Sequence, residues 1–362
     1  MAIRKVGVHK LAQQAKVSIG TVDRALHGRP GINQKTRDRI LRIAKKLGYE
    51  PNLAARALSK SQKKFRIGVC MPREIHFFYD ELWEGIYDEV KRCRDYGIDF
   101  VFRPVTELGE GEEEEVEKMI QSDMRGIILT PGRPDKATPV INRAEEKGIR
   151  VVCVSTDAPA SKRSSIVCVD PRLNGLLAGE LMAKFVAGGS KVAIITGMLR
   201  TEDHAKKSEG FSASFLEGCP GGQVVEVIEA FEDQARSFRK TSELLARISD
   251  LAGIYVNTVN CLPVCRALEA RNRAGHVKLI TTDLFREMVP HFENGTISAT
   301  IYQKPYQQGR LAVSTLVEHL THDAPLENIQ LDPTIVLRST MRLFREVNLP
   351  PIPPEQRIAV SR

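Results

Sequence analysis

The chain has 362 residues, more than one ordinary hydrophobic core serves, and its 42% apolar and 27% charged residues belong to a folded globular protein rather than a disordered one. It contains no apolar run of about 18 residues, and its start, MAIRKVGVHKLAQQAK, lacks a signal-peptide core, so the expectation is a cytoplasmic protein with no membrane span. The net charge of +8 is uneven: residues 1–65 carry 16 Lys/Arg against 3 Asp/Glu, a net of +13, which leaves the rest at −5. A small basic segment on a mildly acidic body is the electrostatic footprint of a nucleic-acid reader with a second domain.

Three short helices are expected in the first sixty residues. Val8, Leu11, Ala12 and Ala15 form the apolar stripe of the first. After the turn AKVS, Ser18 is placed to cap a second helix, IGTVDRAL, with Ile19, Val22 and Leu26 at helical spacing. The HGRPGI break follows, then QKTRDRILRIAKKLGY, whose Ile40, Leu41, Ala44 and Leu47 are expected to face inward before Gly48 stops the helix. Two helices on a tight turn, backed by a third, make a helix-turn-helix head over 1–50. Its second helix would enter a major groove by its N-terminal residues. Ile19, Gly20, Thr21, Asp23 and Arg24 point outward there. Arg24 suits a guanine edge, and Ile19 or the Thr21 methyl suits a thymine methyl. Asp23 either accepts from a cytosine amino group or holds Arg24. His27, Arg29 and Lys35 read as phosphate contacts. PNLAARALSKSQKKF, within 51–64, is too small for a core of its own and is expected to order only against a partner, as a hinge helix pair in the minor groove.

From Phe65 the pattern becomes strand–helix alternation. RIGVCM, DFVFRPV, GIILTP, RVVCVS and IVCVD alternate with amphipathic stretches, and KVAIIT, QVVEVIEA, GIYVNTV and VKLITTD repeat the scheme. Near-continuous Val/Ile strands signal parallel sheets covered on both faces. The acidic run EGEEEEVEK is expected to be a solvated helix start. The fold class is therefore α/β, with an all-helical head followed by two doubly wound lobes. The lobes are expected over 65–170 plus 302–330 and over 171–301 plus 331–346, with 347–362 as a peripheral tail.

The stretch 8–58 closely resembles the head and hinge of the LacI/GalR family of bacterial transcriptional regulators. The shared motifs are the AxxAxVSxxTV core, the R-x-L-x-G of RALHG, the T-R-x-R-I run, LGYEPN and the hinge AARAL. The resemblance implies that Ile19, Gly20 and Arg24 read an operator, that Asn52, Ala55 and Arg56 lie along a hinge helix, and that Leu58 intercalates. It departs at Gly7, where Ser or Thr is usual, at Lys16, where Gly is usual, and at Asp23, where Ser is usual. The two lobes likewise resemble periplasmic binding proteins of type I, the effector core of the same family, so the likeness runs over 7–345. TIYQKPYQQGRLAV is similar to the family's crossover motif, and the HFFYDELWEGI loop is similar to the aromatic loop of the sugar-binding proteins.

Open α/β sheets place ligands at the carboxyl ends of their strands. The candidates there are Phe77 and Phe78, one of which is equally a core residue; Ser155 and Asp157; Asn257 and Asn260; and Asp283, which either caps structure or, as the resemblance implies, accepts sugar hydroxyls. Gln303 sits at the crossover. The resemblance puts Lys207 where an Arg is common, and a Lys lacks the bidentate fork. His204 and Asp203 either bind a polar ligand or cap their helix.

The sequence thus reads as a ligand-responsive, sequence-specific DNA-binding regulator, in repressor style. Its expected partners are double-stranded operator DNA, a second copy of itself and a small polar, sugar-like effector; the site of action is the cytoplasm, at the nucleoid. A purine-like effector, and a transport-type sugar-binding protein, are the alternatives. No cofactor or metal is expected: the seven cysteines have no framework spacing, and Cys261 and Cys265 have no His beside them. GxGxxG, GxxxxGK[ST] and GxSxG are all absent, so an enzyme is not expected.

Overall fold

The computed structural model describes residues 8–26, 31–46 and 65–341, apart from residue 74. Two compact units result, a head and a core. The expected hinge 51–64 and tail 347–362 lie outside the described residues, as do His27, Arg29, Asn52, Ala55, Arg56 and Leu58.

The head holds α1 (Val8–Ala15), α2 (Ile19–Leu26) and α3 (Gln34–Lys46). Leu11, Val22 and Ile40 are fully buried, with Ala12, Ala15, Ala25 and Ala44 packed around them. Lys16 turns the chain between α1 and α2 with φ 52°. This is the left-handed region for which a glycine is best suited, and a lysine holds it at some cost. The Thr21 N–H donates to Ser18 Oγ at 3.2 Å, which caps α2, and Asn33 Oδ1 accepts from the Thr36 N–H at 2.8 Å at the start of α3. Leu41 corrects the sequence reading: it is 42% exposed, and Ile43 packs on the head core instead. Relative to Ile40, a residue one further on sits about 100° around the helix, whereas the residues three and four further on return to its face.

The core contains two six-stranded sheets. The first uses β1 (Phe65–Cys70), β2 (Ile98–Phe102), β3 (Met124–Leu129), β4 (Arg150–Val154), β5 (Ser165–Val169) and β11 (Ile329–Leu331), in the order β11-β5-β4-β3-β1-β2. The second uses β6 (Lys191–Thr196), β7 (Gln223–Glu229), β8 (Leu251–Val256), β9 (Lys278–Thr282), β10 (Ile297–Tyr302) and β12 (Thr334–Val336), in the order β12-β10-β9-β8-β6-β7. Pairing is parallel throughout the second sheet except at β10/β12. The chain crosses between lobes after β5, after β10 and between β11 and β12. Each lobe has its own apolar core, of Val/Ile strands and the helices that cover them.

Glycines set the closest helix contacts. In the second lobe α7 (Pro171–Phe185) lies on α8 (Glu202–Gly218); a Cβ on Gly175 would stand 2.1 Å from the Lys207 carbonyl oxygen. In the first lobe, α4 (Phe78–Arg92) meets α12 (Pro305–His322), and a Cβ on Gly85 would stand 2.0 Å from the Tyr306 oxygen. The acidic helix α5 (Glu112–Ile120) brings a second correction. Glu112 is not solvated but 2% exposed, because the backbone N–H groups of Gly109 (2.7 Å) and Gly132 (3.0 Å) both donate to it. No helix among the described residues is long and apolar enough to cross a membrane.

Candidate functional site

The carboxyl ends of both sheets carry a cluster of strained and buried polar residues. Phe77, Ser155, Glu232 and Asp283 have φ of 64°, 72°, 57° and 71°. Left-handed backbone in non-glycine residues costs of order 1–3 kcal/mol each, and such strain gathers at binding sites. The surrounding structure holds it in place: the Asp283 N–H donates to the Ile301 oxygen and the Ser155 N–H to the Val167 oxygen, both at 2.9 Å.

The second lobe supplies the charged wall. Asp283 is buried at the end of β9, where its Oδ1 accepts from Gln303 Nε2 at 2.8 Å. Burial pushes its carboxyl up to about 7, against the pull of Lys207 and Gln303 and with the push of Asp203 and Glu232. Lys207 is buried one turn along α8 from Asp203, with Nζ 2.6 Å from Asp203 Oδ2. His204 accepts from the Met198 N–H at Nδ1 (3.1 Å), so its proton sits on Nε2, 3.5 Å from Glu232 Oε1. Glu232 also accepts from Thr258 Oγ1 and from Asn260 Nδ2. A Cβ at Gly197 would stand 2.2 Å from Glu232 Oε1 and 2.4 Å from the His204 ring, so only glycine there leaves room for the two to meet. Asn257, at the end of β8, donates to the His204 oxygen (3.2 Å) and Ser208 Oγ (2.9 Å).

The first lobe supplies aromatic rings, a buried carboxyl, Glu112, and a half-buried one, Glu81. Phe77 stacks on Phe285 of the other lobe with ring centroids 3.9 Å apart and planes 12° apart. Phe78 is buried, edge-on to Tyr79. Burial raises the Tyr79 phenol well above its ordinary value, and the charges of Glu232, Glu112, Asp203 and Asp283 push the same way. Glu81 accepts from Tyr302 Oη at 2.9 Å across the lobes, and burial raises it to about 8. Glu112, held by its two backbone donors, is raised by burial to about 7. A further bridge joins Thr201 Oγ1 to the Gly132 oxygen at 2.8 Å.

Ser155 and Asp157 open instead onto a recess of about 180 Å³ beside the strand ends, which Asp203, Lys206 and Asn328 also line. Asp157 is committed there to Arg163 through two hydrogen bonds. Among the described residues, no three His, Cys, Asp or Glu side chains are arranged to hold a metal ion. Cys261 and Cys265 are buried thiols, raised by desolvation.

Comparison with known proteins places this geometry. Residues 67–324 match the periplasmic binding protein domain, and residues 8–52 match the bacterial regulatory proteins of the lacI family. The chain belongs to the LacI family of regulators. It is 24% identical over 348 residues to the ribose operon repressor of Lactococcus lactis, covering 94% of this chain and 99% of that one. It is 27% identical over 254 residues to catabolite control protein A of Priestia megaterium, covering 70% and 74%. Among solved structures, a solute-binding protein of Burkholderia graminis in complex with D-arabinose superposes with a TM-score of 0.72 at 25% identity, over 78% of this chain and 98% of that one. Both matched families are binding and regulatory rather than catalytic, and the protein is a LacI-family transcriptional regulator with a sugar-binding-protein-like core.

Of the residues singled out from sequence, this regulator brings Phe77, His204, Lys207, Asn257, Asp283 and Gln303 to the facing ends of its lobes. Ser155 and Asp157 lie to one side, and Phe78 is packed into its own lobe. Sequence reasoning missed Glu232, Tyr79, Glu81 and Phe285. Glu232 lies three residues beyond β7, where the rule that selected Asp283 also applies; Phe285 follows Asp283 by two. On the reading helix Gly20 and Arg24 are exposed and Thr21 is half-buried, its hydroxyl 2.9 Å from that of Ser18. The side chains of Ile19 and Asp23 lie outside the described residues.

Proposed function

We propose that this LacI-family protein is a homodimeric repressor that acts on operator DNA in the cytoplasm and is controlled by a sugar-like effector held between its lobes. The observation that carries the reading is the union, in one chain, of a head matched to the lacI family and a core whose strained polar residues converge where the two lobes face each other. The names of the relatives, a ribose operon repressor and a binding protein complexed with D-arabinose, support the effector class.

In this reading Arg24 donates to a guanine edge, Ile19, Gly20 and the Thr21 methyl touch neighbouring bases, and Ser18 fixes the start of the helix while Asp23 restrains Arg24. His27 and Arg29 contact phosphates; Asn52, Ala55 and Arg56 form the hinge, and Leu58 wedges a base step. In the core, Phe77 packs on a sugar ring, while Asp283, Lys207, Asn257, His204 and Gln303 take its hydroxyls. Phe78 supports Phe77, and Ser155 and Asp157 reach the ligand from the side recess. At a 3.9 Å centroid separation the Phe77 and Phe285 rings touch, so a ligand using both faces must part them. Effector binding then changes the relative population of two lobe arrangements and, through the hinges, the affinity for a two-fold operator.

The test is selection of bound sequences from a random duplex pool by the full-length protein, with and without a panel of monosaccharides and purines. The expected result is one two-fold symmetric site whose enrichment changes with a sugar. For Arg24→Ala the preference at one base pair in each half-site relaxes, by about 1–3 kcal/mol. Sequence-blind binding unaffected by any member of the panel would remove the reading.

A further inference from the structure

The cleft wall of the second lobe sets three carboxylates, Asp203, Asp283 and Glu232, beside one buried cation. Lys207 is its buried cation, and at 2.6 Å it is already committed to Asp203. Asp283 and Glu232 remain. Asp283 has the Gln303 amide as its hydrogen-bond donor, and Glu232 has the Thr258 hydroxyl and the Asn260 amide, with His204 Nε2 at 3.5 Å. These donors satisfy lone pairs, and the cation that also acts on Asp283, Lys207, is in contact with Asp203. The first lobe adds no relief, since Glu81 and Glu112 carry charge of the same sign. Arg163 and Lys206, in the side recess, are each tied to a carboxylate of their own, Asp157 and Glu202.

A second observation points to a ligand. Asn257 is 1% exposed, and its Oδ1 accepts no hydrogen bond from any described residue. Its Nδ2 is anchored on α8, through the His204 oxygen and Ser208 Oγ, which leaves Oδ1 as the unanswered end of the amide. It stands at the end of β8, next in the sheet to β9, which ends at Asp283. A buried acceptor without a donor costs about 1–3 kcal/mol, and buried carboxylates without a countercharge cost several. A sugar hydroxyl supplies the donor but not the charge.

We propose that the effector is a hydroxylated compound carrying a protonated amine, an amino sugar or an aminated polyol, whose ammonium group is held by Asp283 and Glu232 with Asn257 Oδ1 as a further acceptor. This rests on the reading of the cleft as an effector site. The ammonium has three donors for three acceptors, and its charge adds to that of Lys207 against the three carboxylates Asp203, Asp283 and Glu232. The raised carboxyl of Asp283 fits this, because an arriving cation draws the group back to its ionised form.

The experiment is calorimetric titration of the full-length protein with matched sets: D-glucosamine, D-glucose and N-acetyl-D-glucosamine, and the same three forms of galactose and mannose. The amine of at least one set is expected to bind about tenfold or more tighter than both its neutral parent and its N-acetyl form, a margin of about 1.4 kcal/mol. Glu232→Gln, which keeps a hydrogen-bonding side chain, is expected to bring amine and parent within about twofold. Equal or tighter binding of a neutral sugar overturns the amine and leaves the sugar-responsive regulator standing. No binding of any amine at about 10 mM, an affinity weaker than about 3 kcal/mol, overturns it as well. A Glu232→Gln variant that binds sugars but keeps the full amine preference overturns the assignment to this carboxylate.

Discussion

The two lobes share a topology and differ in how they answer buried charge. Glu81 and Glu112 of the first lobe are met with hydrogen bonds alone, from Tyr302 Oη of the second lobe and from the N–H groups of Gly109 and Gly132. The second meets Asp203 with a full countercharge, Lys207. Burial raises Glu81 and Glu112 in spite of their donors, which favour the charged form, whereas an adjacent ammonium is a full opposite charge. The cleft therefore holds carboxyls met by hydrogen bonds, Asp283 of the second lobe among them, beside one in contact with a cation.

Acidity is the strongest way to break that comparison. Glu81 is raised from 4.5 to about 8 and Glu112 from 4.5 to about 7 by burial, and Asp283 from 3.8 to about 7. Between the ordinary and the raised value the native state holds a proton that the unfolded chain has released. Stability is then lost as pH rises through this window, by up to about 1.4 kcal/mol per pH unit for each such group. Urea melts of the effector-free protein are expected to be most stable near pH 5, to weaken toward pH 8 and to level off above it. Glu81→Gln should flatten the decline above pH 7. Stability that rose from pH 5 to pH 8 would mean that these carboxyls are ionised and paired.

Lys207→Ala is the converse change in the second lobe. It leaves Asp203 buried without its cation, and breaking a buried pair from one side costs about 3–5 kcal/mol. The measurement is again a urea melt, with Arg163→Ala as comparison: its Asp157 pair is more exposed, so a smaller loss of about 1–2 kcal/mol is expected. Equal losses would erase the distinction drawn for Lys207. Next come the helix contacts that carry these groups. Gly175→Ala and Gly85→Ala each set a methyl against a carbonyl oxygen, at 2.1 and 2.0 Å, and each should cost about 2 kcal/mol. Only Gly175→Ala should also weaken effector binding, because the carbonyl it strikes is that of Lys207.

How legible these features were depends on the range of the interaction. The strands were readable because parallel sheets buried on both faces demand continuous runs such as KVAIIT and RVVCV, and the Ser18 cap because its partner is three residues away. Leu41 was misread at the same short range, since an apolar residue beside Ile40 looks like core until the turn angle is counted. Glu112 was misread because its burial depends on Gly132, 20 residues on, which donates from a neighbouring loop. Strand ends located Asp283 and Asn257, yet Phe285 acquired its meaning only from Phe77, more than 200 residues earlier in the chain. No local pattern in the sequence marks such a pair.

That aromatic pair gives the smallest predicted effect and the finest comparison between lobes. Phe77 contributes from the first lobe and Phe285 from the second, so their coupling measures contact between lobes rather than within one. Stacked rings contribute about 1 kcal/mol beyond their area, and a double-mutant cycle of Phe77→Leu and Phe285→Leu isolates that share. Urea melts of the four proteins should give a coupling near this value without effector and close to zero once the cleft is saturated, since a ring bound between the two replaces their mutual contact. Solution scattering on the same proteins should show either single variant shifted toward the dimensions of the double. A coupling that survived saturation would place the effector outside the aromatic gap, against the carboxylate wall alone.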